Sequence, residues 1–516
     1  MEIHATAEML MWTALASADA MLVLILTRSR RKAATNSRIP PGPPGWPILG
    51  NILDIGFKPH KTLVDFKNKY GPLVWLRLGS VNTLVVCSAE AAMEMFKNHD
   101  HSTCNRHLNE TPKIGGSYTG TITLGEYGPY WRMLRRLCAT ELFSRKRINH
   151  TAPLRRRCVD KLMKWISDEA KEQSEHGVEL ARYVFATSFN VIGNLMLSRD
   201  LVDPKSSKGN EFFNLTSELT ELTGKPNLAD FFPILRWFDP QGLKKQTEQK
   251  QIQVLNIVGS FVEGRRRQDT EGKQSHNKEQ KDFLDVLMEF EGNGKDEPAK
   301  ITDKNLNTFI LELFVAATET TNSTVEWAMT ELLRQPEAMK KVKAEIAKVV
   351  GFERKLEESD IEDLHYLDAV IKETLRLHPP APLLIPRTAM KDTELMGYVI
   401  PKDTQIFVNV WGLGRDPSSW EDADSFKPER FIAASNLDYR GQNFEYLPFG
   451  AGRRIWLGLP LGHQMLHLVL GSLLHSFDWS LANGVTPETL DMGEKMGTSL
   501  RKDVPLKAIP KPVLSV

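Results

Sequence analysis

The chain has 516 residues, of which 41% are hydrophobic and 25% charged, and its formal net charge is +1. These values are typical of a globular protein, and the balanced charge argues against a nucleic-acid partner. The cysteines, Cys87, Cys104, Cys138 and Cys158, form no CxxC pair and no zinc-ligand spacing, which argues against a disulfide framework or a structural metal. So few thiols in so long a chain are typical of a reducing compartment.

The first predicted element is a mostly apolar run, Met9–Thr27, followed by a basic cluster at residues 28–32. As a helix the run would measure about 28 Å, close to the thickness of a bilayer's hydrocarbon core. Asp19 lies near the middle of this run. The free-energy cost of inserting its carboxylate into a bilayer roughly cancels the gain from inserting the aliphatic side chains, so insertion is marginal. We predict a single-pass anchor over residues 1–32 with a cytosolic body; the alternative is an amphipathic or unstructured tail.

The next segment, residues 33–50, is rich in proline over Pro40–Pro47 and predicts a stiff, extended spacer, because proline disfavours a helix interior. Apolar residues then alternate over Leu73–Cys87 on either side of Gly79, a pattern that predicts a β-hairpin. We place a single catalytic domain beyond the spacer, in residues 51–516.

Helical periodicity dominates the rest of the chain, and short extended segments interrupt it near the C-terminus. The predicted helices are Trp131–Leu142, Leu154–Glu172, Lys244–Arg267, Asp303–Arg334, Pro336–Val350, Asp363–Leu377 and Leu459–His475. The predicted extended segments are Glu394–Ile400 and Gln405–Asn409. The pattern predicts an α+β fold, mainly helical, in which small sheets lie beside a large helical body.

Three motifs follow one another in the last third of the chain. Glu373 and Arg376 share a helix face, an arrangement that alone is usually a weak surface ion pair. Pro428–Phe431 reads PERF, and Phe449–Gly458 reads FGAGRRIWLG. Their order and spacing closely resemble the ExxR, PERF and FxxGxRxCxG motifs of the cytochromes P450, the haem-thiolate monooxygenases, and of their plant microsomal branch in particular.

The resemblance implies the cytochrome P450 fold, and it implies structural and cofactor-binding roles for several residues. Arg430 would join Glu373 and Arg376 in a buried network that braces the loop before the last helix. The residues implied in haem binding are Trp131, Arg135, Arg387 and Arg454, which would reach the propionates, and Phe449, Gly452 and Gly458, which shape the loop. The implied cofactor is haem b.

Position 456 departs from the family pattern. The family has a cysteine there, whose thiolate ligates the haem iron and favours O–O cleavage. Trp456 offers one indole N–H donor and no lone pair for a metal. His463 is the nearest substitute ligand, but it lies about 10 Å further along the predicted helix and is more simply a packed or surface histidine. The chain therefore has no predicted metal ligand at this loop.

Within the predicted helix Asp303–Arg334, the segment Ala316–Thr321 reads AATETT and resembles the family's oxygen-binding motif, in which a local helix distortion makes room for dioxygen. The resemblance implies that the Thr320 hydroxyl and the Glu319 carboxyl handle protons during oxygen activation, a general-acid task. A threonine inside a helix otherwise bonds most often to the carbonyl of the preceding turn. Ala317 stands where the motif usually has glycine, and alanine resists the distortion.

The function that the resemblance implies is hydroxylation of a small hydrophobic specialised metabolite, with O₂ and electrons from an NADPH-cytochrome reductase, at the endoplasmic reticulum membrane. The substrate pocket would draw on mostly apolar or small residues. The implied segments are Arg106–Gly125, Phe231–Leu235, Pro380–Ile385 and Met496–Thr498.

Trp456 leaves three interpretations open. In the first, the chain comes from a monooxygenase, and Trp456 is a sequence error or an isolated defective allele, since cysteine and tryptophan codons differ by one base. Alternatively, the chain is a catalytically inactive pseudoenzyme that binds a ligand or a partner. In the third interpretation, haem is retained with another axial ligand. We predict that the chain as written holds no thiolate-ligated haem, which the spectrum of the reduced protein under carbon monoxide tests.

Overall fold

The computed structural model describes residues 38–110, 113, 118–172, 176–270, 281–433, 436–482, 484–497 and 499–513. The predicted anchor, residues 1–32, and the first part of the proline-rich spacer lie outside these residues. Among the residues that are described, no helix combines the length and apolar character needed to cross a membrane.

Helices make up most of the described chain and are numbered here in chain order. The first nine are α1 (Ile52–Ile55), α2 (Pro59–Tyr70), α3 (Ala89–Asn98), α4 (Asp100–Thr103), α5 (Pro129–Leu137), α6 (Arg145–His150), α7 (Ala152–Glu172), α8 (Leu180–Leu197) and α9 (Ser207–Gly224). The next nine are α10 (Leu228–Phe231), α11 (Leu243–Thr270), α12 (Phe283–Met288), α13 (Asp303–Arg334), α14 (Pro336–Val349), α15 (His365–Leu377), α16 (Val410–Leu413), α17 (Glu429–Ala433) and α18 (Leu459–Ser476). Tighter 3₁₀ turns cover Pro233–Trp237, Glu358–Asp363 and Gly452–Arg454, and a π-helical turn covers Cys138–Leu142.

The strands are short and form small sheets beside the helices. They are β1 (Leu73–Leu78), β2 (Val81–Val86), β3 (Asn105–Arg106), β4 (Val178–Glu179), β5 (Arg387–Thr388), β6 (Thr393–Leu395), β7 (Tyr398–Ile400), β8 (Gln405–Val408), β9 (Phe477–Leu481), β10 (Glu494–Met496), β11 (Leu500–Lys502) and β12 (Lys507–Pro512). The largest sheet has the order β1-β2-β8-β5-β3, and β2 and β8 are its parallel pair. The mainly helical α+β prediction is confirmed.

Helix α13 lies at the centre of the helical body. Thr302 caps its first turn by accepting the Asn305 N–H, and Pro336 follows its last residue, where proline's missing N–H and restricted backbone favour a new helix start. The helix packs against α8, α15 and α18. Phe314, fully buried on α13, stacks on Phe189 of α8 with ring centroids 4.3 Å apart. This packing fixes the segment that carries Glu319 and Thr320.

Several boundaries differ from the sequence-based predictions. The helix predicted over 131–142 begins at Pro129 and widens into the π-helical turn after Leu137. The segment predicted as one strand over 394–400 is a hairpin, β6–β7, since Gly397 takes a positive φ between the two strands. Between α9 and α11, where no helix is predicted, the chain forms α10 and the 3₁₀ turn that follows it.

Candidate functional site

The loop 449–458 enters α18 through a backbone path that requires glycine at position 452. Gly452 has φ 66°, and a Cβ there would lie 2.3 Å from Oδ1 of Asp100. Asp100 accepts the Arg453 N–H at 3.0 Å, and the Trp456 N–H donates to the Phe449 carbonyl at 3.0 Å. These contacts fold the loop into a fixed shape against α4.

The indole of Trp456 lies flat between Phe449 and the first turn of α18. Its ring stacks on Phe449 with centroids 5.5 Å apart and an interplanar angle of 8°. A Cβ at Gly458 would come within 3.0 Å of the indole, and one at Gly462 within 2.8 Å. Two residues without side chains therefore provide the space for the indole. It is half-buried and lines the large cavity described below.

The three residues predicted to form a network lie together. Arg376 donates to both carboxylate oxygens of Glu373 at 2.7 Å, and Arg430 Nε donates to Glu373 Oε1 at 3.0 Å. The side chains of Glu373 and Arg376 are both 0% exposed. Arg376 also donates to the carbonyls of Ala423 at 2.6 Å and Ser425 at 3.0 Å. Each charge is thus paired, as a buried ion network requires, and α15 is joined to the chain that leads to the loop.

The arginines predicted to meet propionates converge on this loop and its neighbours. Arg387 donates to Asp100 Oδ1 at 3.0 Å and to the Ala451 carbonyl at 2.9 Å. Arg135 donates to the Ile455 carbonyl at 3.1 Å. Arg454 donates to three backbone carbonyls of the chain between α4 and α5, at 2.7 to 3.0 Å, those of Cys104, Ile122 and Gly125.

Trp131, the fourth residue predicted to contact a propionate, shares one turn of α5 with Arg135. Its indole Nε1–H donates to the Ile122 carbonyl at 2.9 Å, and the Arg454 guanidinium lies 4.4 Å from the ring centroid. Trp131 therefore holds the Arg454 guanidinium on its ring face by a cation–π contact.

Arg106 is a member of this group that the sequence did not single out. It is buried and donates to the carbonyls of Thr123 and Ile385, at 2.8 Å in both cases. Burial lowers the pKa of Arg106, and so do the neighbouring guanidiniums of Arg454 and Arg387. The mutual repulsion of three buried cations makes this part of the cavity favourable for anions.

Two carboxylates, Asp100 and Glu312, lie among these arginines and were also missed from the sequence. Glu312, on α13, accepts the backbone N–H groups of Ile122, at 2.8 Å, and Thr123. Burial raises the pKa of Glu312, and the Arg106 guanidinium acts against this rise. Neither residue belongs to a recognisable motif, because each acts on a segment far away along the chain.

The segment 316–321 is a regular part of α13, without the local distortion of the motif it resembles. Thr320 Oγ1 donates to the Ala316 carbonyl at 2.8 Å, so its proton is used within the helix. Glu319 is buried, and burial raises the pKa of its carboxyl while Arg501 acts against the rise. The helix therefore presents a carboxyl that retains its proton to a higher pH than an exposed glutamate does.

A cavity of about 1230 Å³ joins these elements. Its walls are mainly apolar, from α8, α9, α13 and the chain before β5, and Glu319, Thr320 and Trp456 all line it. Each segment predicted for the substrate pocket contributes to the lining; within 231–235, Phe231 lines the cavity and Ile234 is exposed. Thr498 lies outside the described residues. Such a cavity suits a small apolar molecule.

The chain matches the family model for cytochrome P450 over residues 40–508. It is 49% identical to an iridoid oxidase of Catharanthus roseus over 95% of each chain. It is 48% identical to cytochrome P450 76A2 of Solanum melongena, over 94% of this chain and 96% of that protein. It is also 41% identical to a geraniol 8-hydroxylase of Catharanthus roseus, over 92% of this chain and 94% of that protein.

Proposed function

The chain belongs to the cytochrome P450 family of haem monooxygenases, and from this premise we propose that its cavity binds a small terpenoid-like metabolite of the kind that members of the family hydroxylate. The observation that carries the proposal is the mainly apolar cavity of about 1230 Å³ with Glu319 and Thr320 in its wall. Similarity to an iridoid oxidase and a geraniol 8-hydroxylase supports the substrate class. Electrons would come from an NADPH-cytochrome reductase, as the plant microsomal type uses.

The residues around the cavity fit the propionates of a haem b but offer no axial ligand for its iron at position 456. The surplus of buried guanidiniums over carboxylates suits two propionates. At the axial position, Trp456 offers no lone pair, and its indole covers the start of α18. A thiolate-ligated haem supplies the family's oxygen activation. We therefore propose that the chain, with tryptophan at position 456, binds its metabolite and does not oxidise it, which makes it a pseudoenzyme with an intact substrate pocket.

Titration of the purified full-length protein with geraniol tests the binding proposal. We expect saturable binding by calorimetry. The substitution Ala316→Phe should weaken it by about tenfold, because a phenyl group on the α13 face would overfill the cavity at about 1–3 kcal/mol. Ala344→Phe, an exposed position on α14, is the matched control and should bind as the unaltered chain does. Absence of saturable binding, or equal weakening by both substitutions, would contradict the proposal.

We expect Glu319 to set the pH dependence of hydroxylation once cysteine replaces Trp456. Burial raises the pKa of Glu319, so the protonated, proton-donating form persists below that raised pKa and is lost as the pH rises through it. The hydroxylation rate should therefore fall as the pH rises through the raised pKa of Glu319. In the variant that carries both Trp456→Cys and Glu319→Gln, turnover should be about 10²-fold lower than with Trp456→Cys alone, and its pH dependence should flatten.

Turnover measured across pH with both variants checks this prediction, and geraniol affinity serves as the control. Affinity should be unchanged, because glutamine keeps the shape of the side chain. A Glu319→Gln variant that keeps the full rate and the same pH profile would show that the carboxyl takes no part.

An exposed apolar surface supports the proposed attachment to the endoplasmic reticulum membrane. Trp237 is 90% exposed and Phe57 is 96% exposed. The turn between β1 and β2 joins the segment before Phe57 to the segment before Trp237. The Gly79 N–H donates to the Leu49 carbonyl, and the Ser80 N–H donates to the Phe231 carbonyl. Exposed aromatic groups of this kind mark an interaction with a membrane or a partner. We propose that this surface rests on the bilayer into which the predicted N-terminal anchor would insert.

In full-length protein reconstituted into phosphatidylcholine vesicles, lipids with brominated acyl chains should quench Trp237 fluorescence. Replacing Trp237 with phenylalanine should therefore remove a quenchable part of the emission. Trp165→Phe, on α7, is the matched control and should leave the quenched part unchanged. Equal quenching of the Trp237→Phe variant and the unaltered chain would show that Trp237 does not contact the acyl chains, which would contradict the proposal.

A further inference from the structure

A polar cluster lies where α15 packs against α18. His463 and His467 are four residues apart on α18 and share one face, and Asp368 faces them from the first turn of α15. One ring nitrogen of each histidine and one carboxylate oxygen of Asp368 all lie within 4.8 Å of one another. Two histidines at this helical spacing are a recurrent arrangement for zinc ligands.

The hydrogen bonds of His467 fix which of its nitrogens faces the cluster. Nδ1 lies 2.7 Å from the His463 carbonyl oxygen, which only accepts, so Nδ1 carries the hydrogen. Nε2 lies 3.1 Å from Asp368 Oδ1. The Nε2 lone pair of a neutral ring would face a carboxylate oxygen, so this contact needs either a proton on Nε2 or a bound cation. The same orientation, with one ring N–H on a backbone carbonyl, is typical of histidines that bind metals.

The neighbouring groups leave these donor atoms available. Lys372 pairs with the other carboxylate oxygen, Asp368 Oδ2, at 2.9 Å, and leaves Oδ1 towards His467. Tyr439 bonds through its hydroxyl to His463 Nδ1, which leaves Nε2 of that ring for a ligand when Nδ1 carries the hydrogen. The centroids of the two imidazole rings lie 4.1 Å apart.

We propose that Asp368, His463 and His467 bind a divalent transition-metal ion of the zinc class. Two imidazoles and one carboxylate suit zinc, and they suit calcium or magnesium poorly, because those ions prefer all-oxygen sites. His467 is fully buried, whereas His463 and Asp368 are half-buried and reachable from solvent. A bound ion would clamp α15, which carries Glu373 and Arg376, to α18. None of these three residues lines the substrate cavity.

Calorimetric titration of chelator-treated, full-length protein with zinc chloride tests the proposal, and cobalt(II) absorption reports the ligand geometry. We expect about one equivalent to bind, with visible bands of four-coordinate cobalt. His463→Ala should weaken zinc binding by about tenfold or more. Asp368→Asn should also weaken it, and this variant removes the charge while keeping the side-chain shape.

The control is His365→Ala, an exposed histidine at the start of α15, which should bind zinc as the unaltered chain does. Circular dichroism of each variant shows whether its fold is retained. Binding that is equally strong in the unaltered chain, the His463→Ala variant and the Asp368→Asn variant would place the ion elsewhere. Absence of stoichiometric zinc binding by the unaltered chain would overturn the proposal.

Discussion

Replacing Trp456 with cysteine is expected to give a protein whose reduced, carbon monoxide-treated form shows the spectrum of a thiolate-ligated haem, whereas the unaltered chain shows none. The thiol would stand just before α18, where the N–H groups of the first helical turn favour a thiolate. The arginines for the propionates and the network of Glu373 with Arg376 are already in place. Hydroxylation of geraniol should appear together with the spectrum.

The matched control is Trp456→Ala, which removes the indole without supplying sulfur. This variant should bind geraniol and show no thiolate spectrum. A thiolate spectrum from the unaltered chain or from the alanine variant would refute the role given to position 456. A cysteine variant that takes up haem and stays inactive would show that further residues have lost their function.

Replacing Glu373 with glutamine is expected to lower the free energy of unfolding by about 3–5 kcal/mol, the cost of leaving buried charges unpaired. Glutamine would deprive Arg376 and Arg430 of their shared carboxylate, and Arg376 has a fully buried side chain. The Lys427 backbone N–H, which donates to Glu373 Oε1 at 2.7 Å, would keep an acceptor only if the amide oxygen faces it. Urea unfolding followed by circular dichroism measures the change.

Glu289→Gln provides the comparison for this measurement. Glu289 pairs with Lys281 at the surface, where both side chains are more than half exposed, and its loss should cost less than about 1 kcal/mol. Similar losses in the two variants would mean that the Glu373 network contributes no more than a surface ion pair.

The sequence predicted the central helix well because its signals are local. The bounds of α13, Asp303 and Arg334, agree with the prediction, since Thr302 supplies a capping hydroxyl and Pro336 interrupts the pattern. The ExxR and PERF residues also meet as their motifs implied, at hydrogen-bond distances.

The remaining site residues could not be found in this way because their partners are distant in sequence. Asp100 reaches a loop residue more than 350 positions away, and Glu312 caps a segment about 190 positions before it. No local pattern encodes either contact. The regular helix at Thr320 likewise depends on packing and on the threonine's own bond to Ala316. The four-residue spacing of His463 and His467 places them on one helix face, but only the packing of α15 against α18 brings Asp368 to them.

The glycines that pack against the indole have a consequence for how position 456 can change. Gly458 and Gly462 leave room for the Trp456 indole, and they leave room equally for the smaller cysteine side chain. No second substitution is needed before sulfur can return to position 456. Because cysteine and tryptophan codons differ by one base, one nucleotide change would place the family's cysteine at this position.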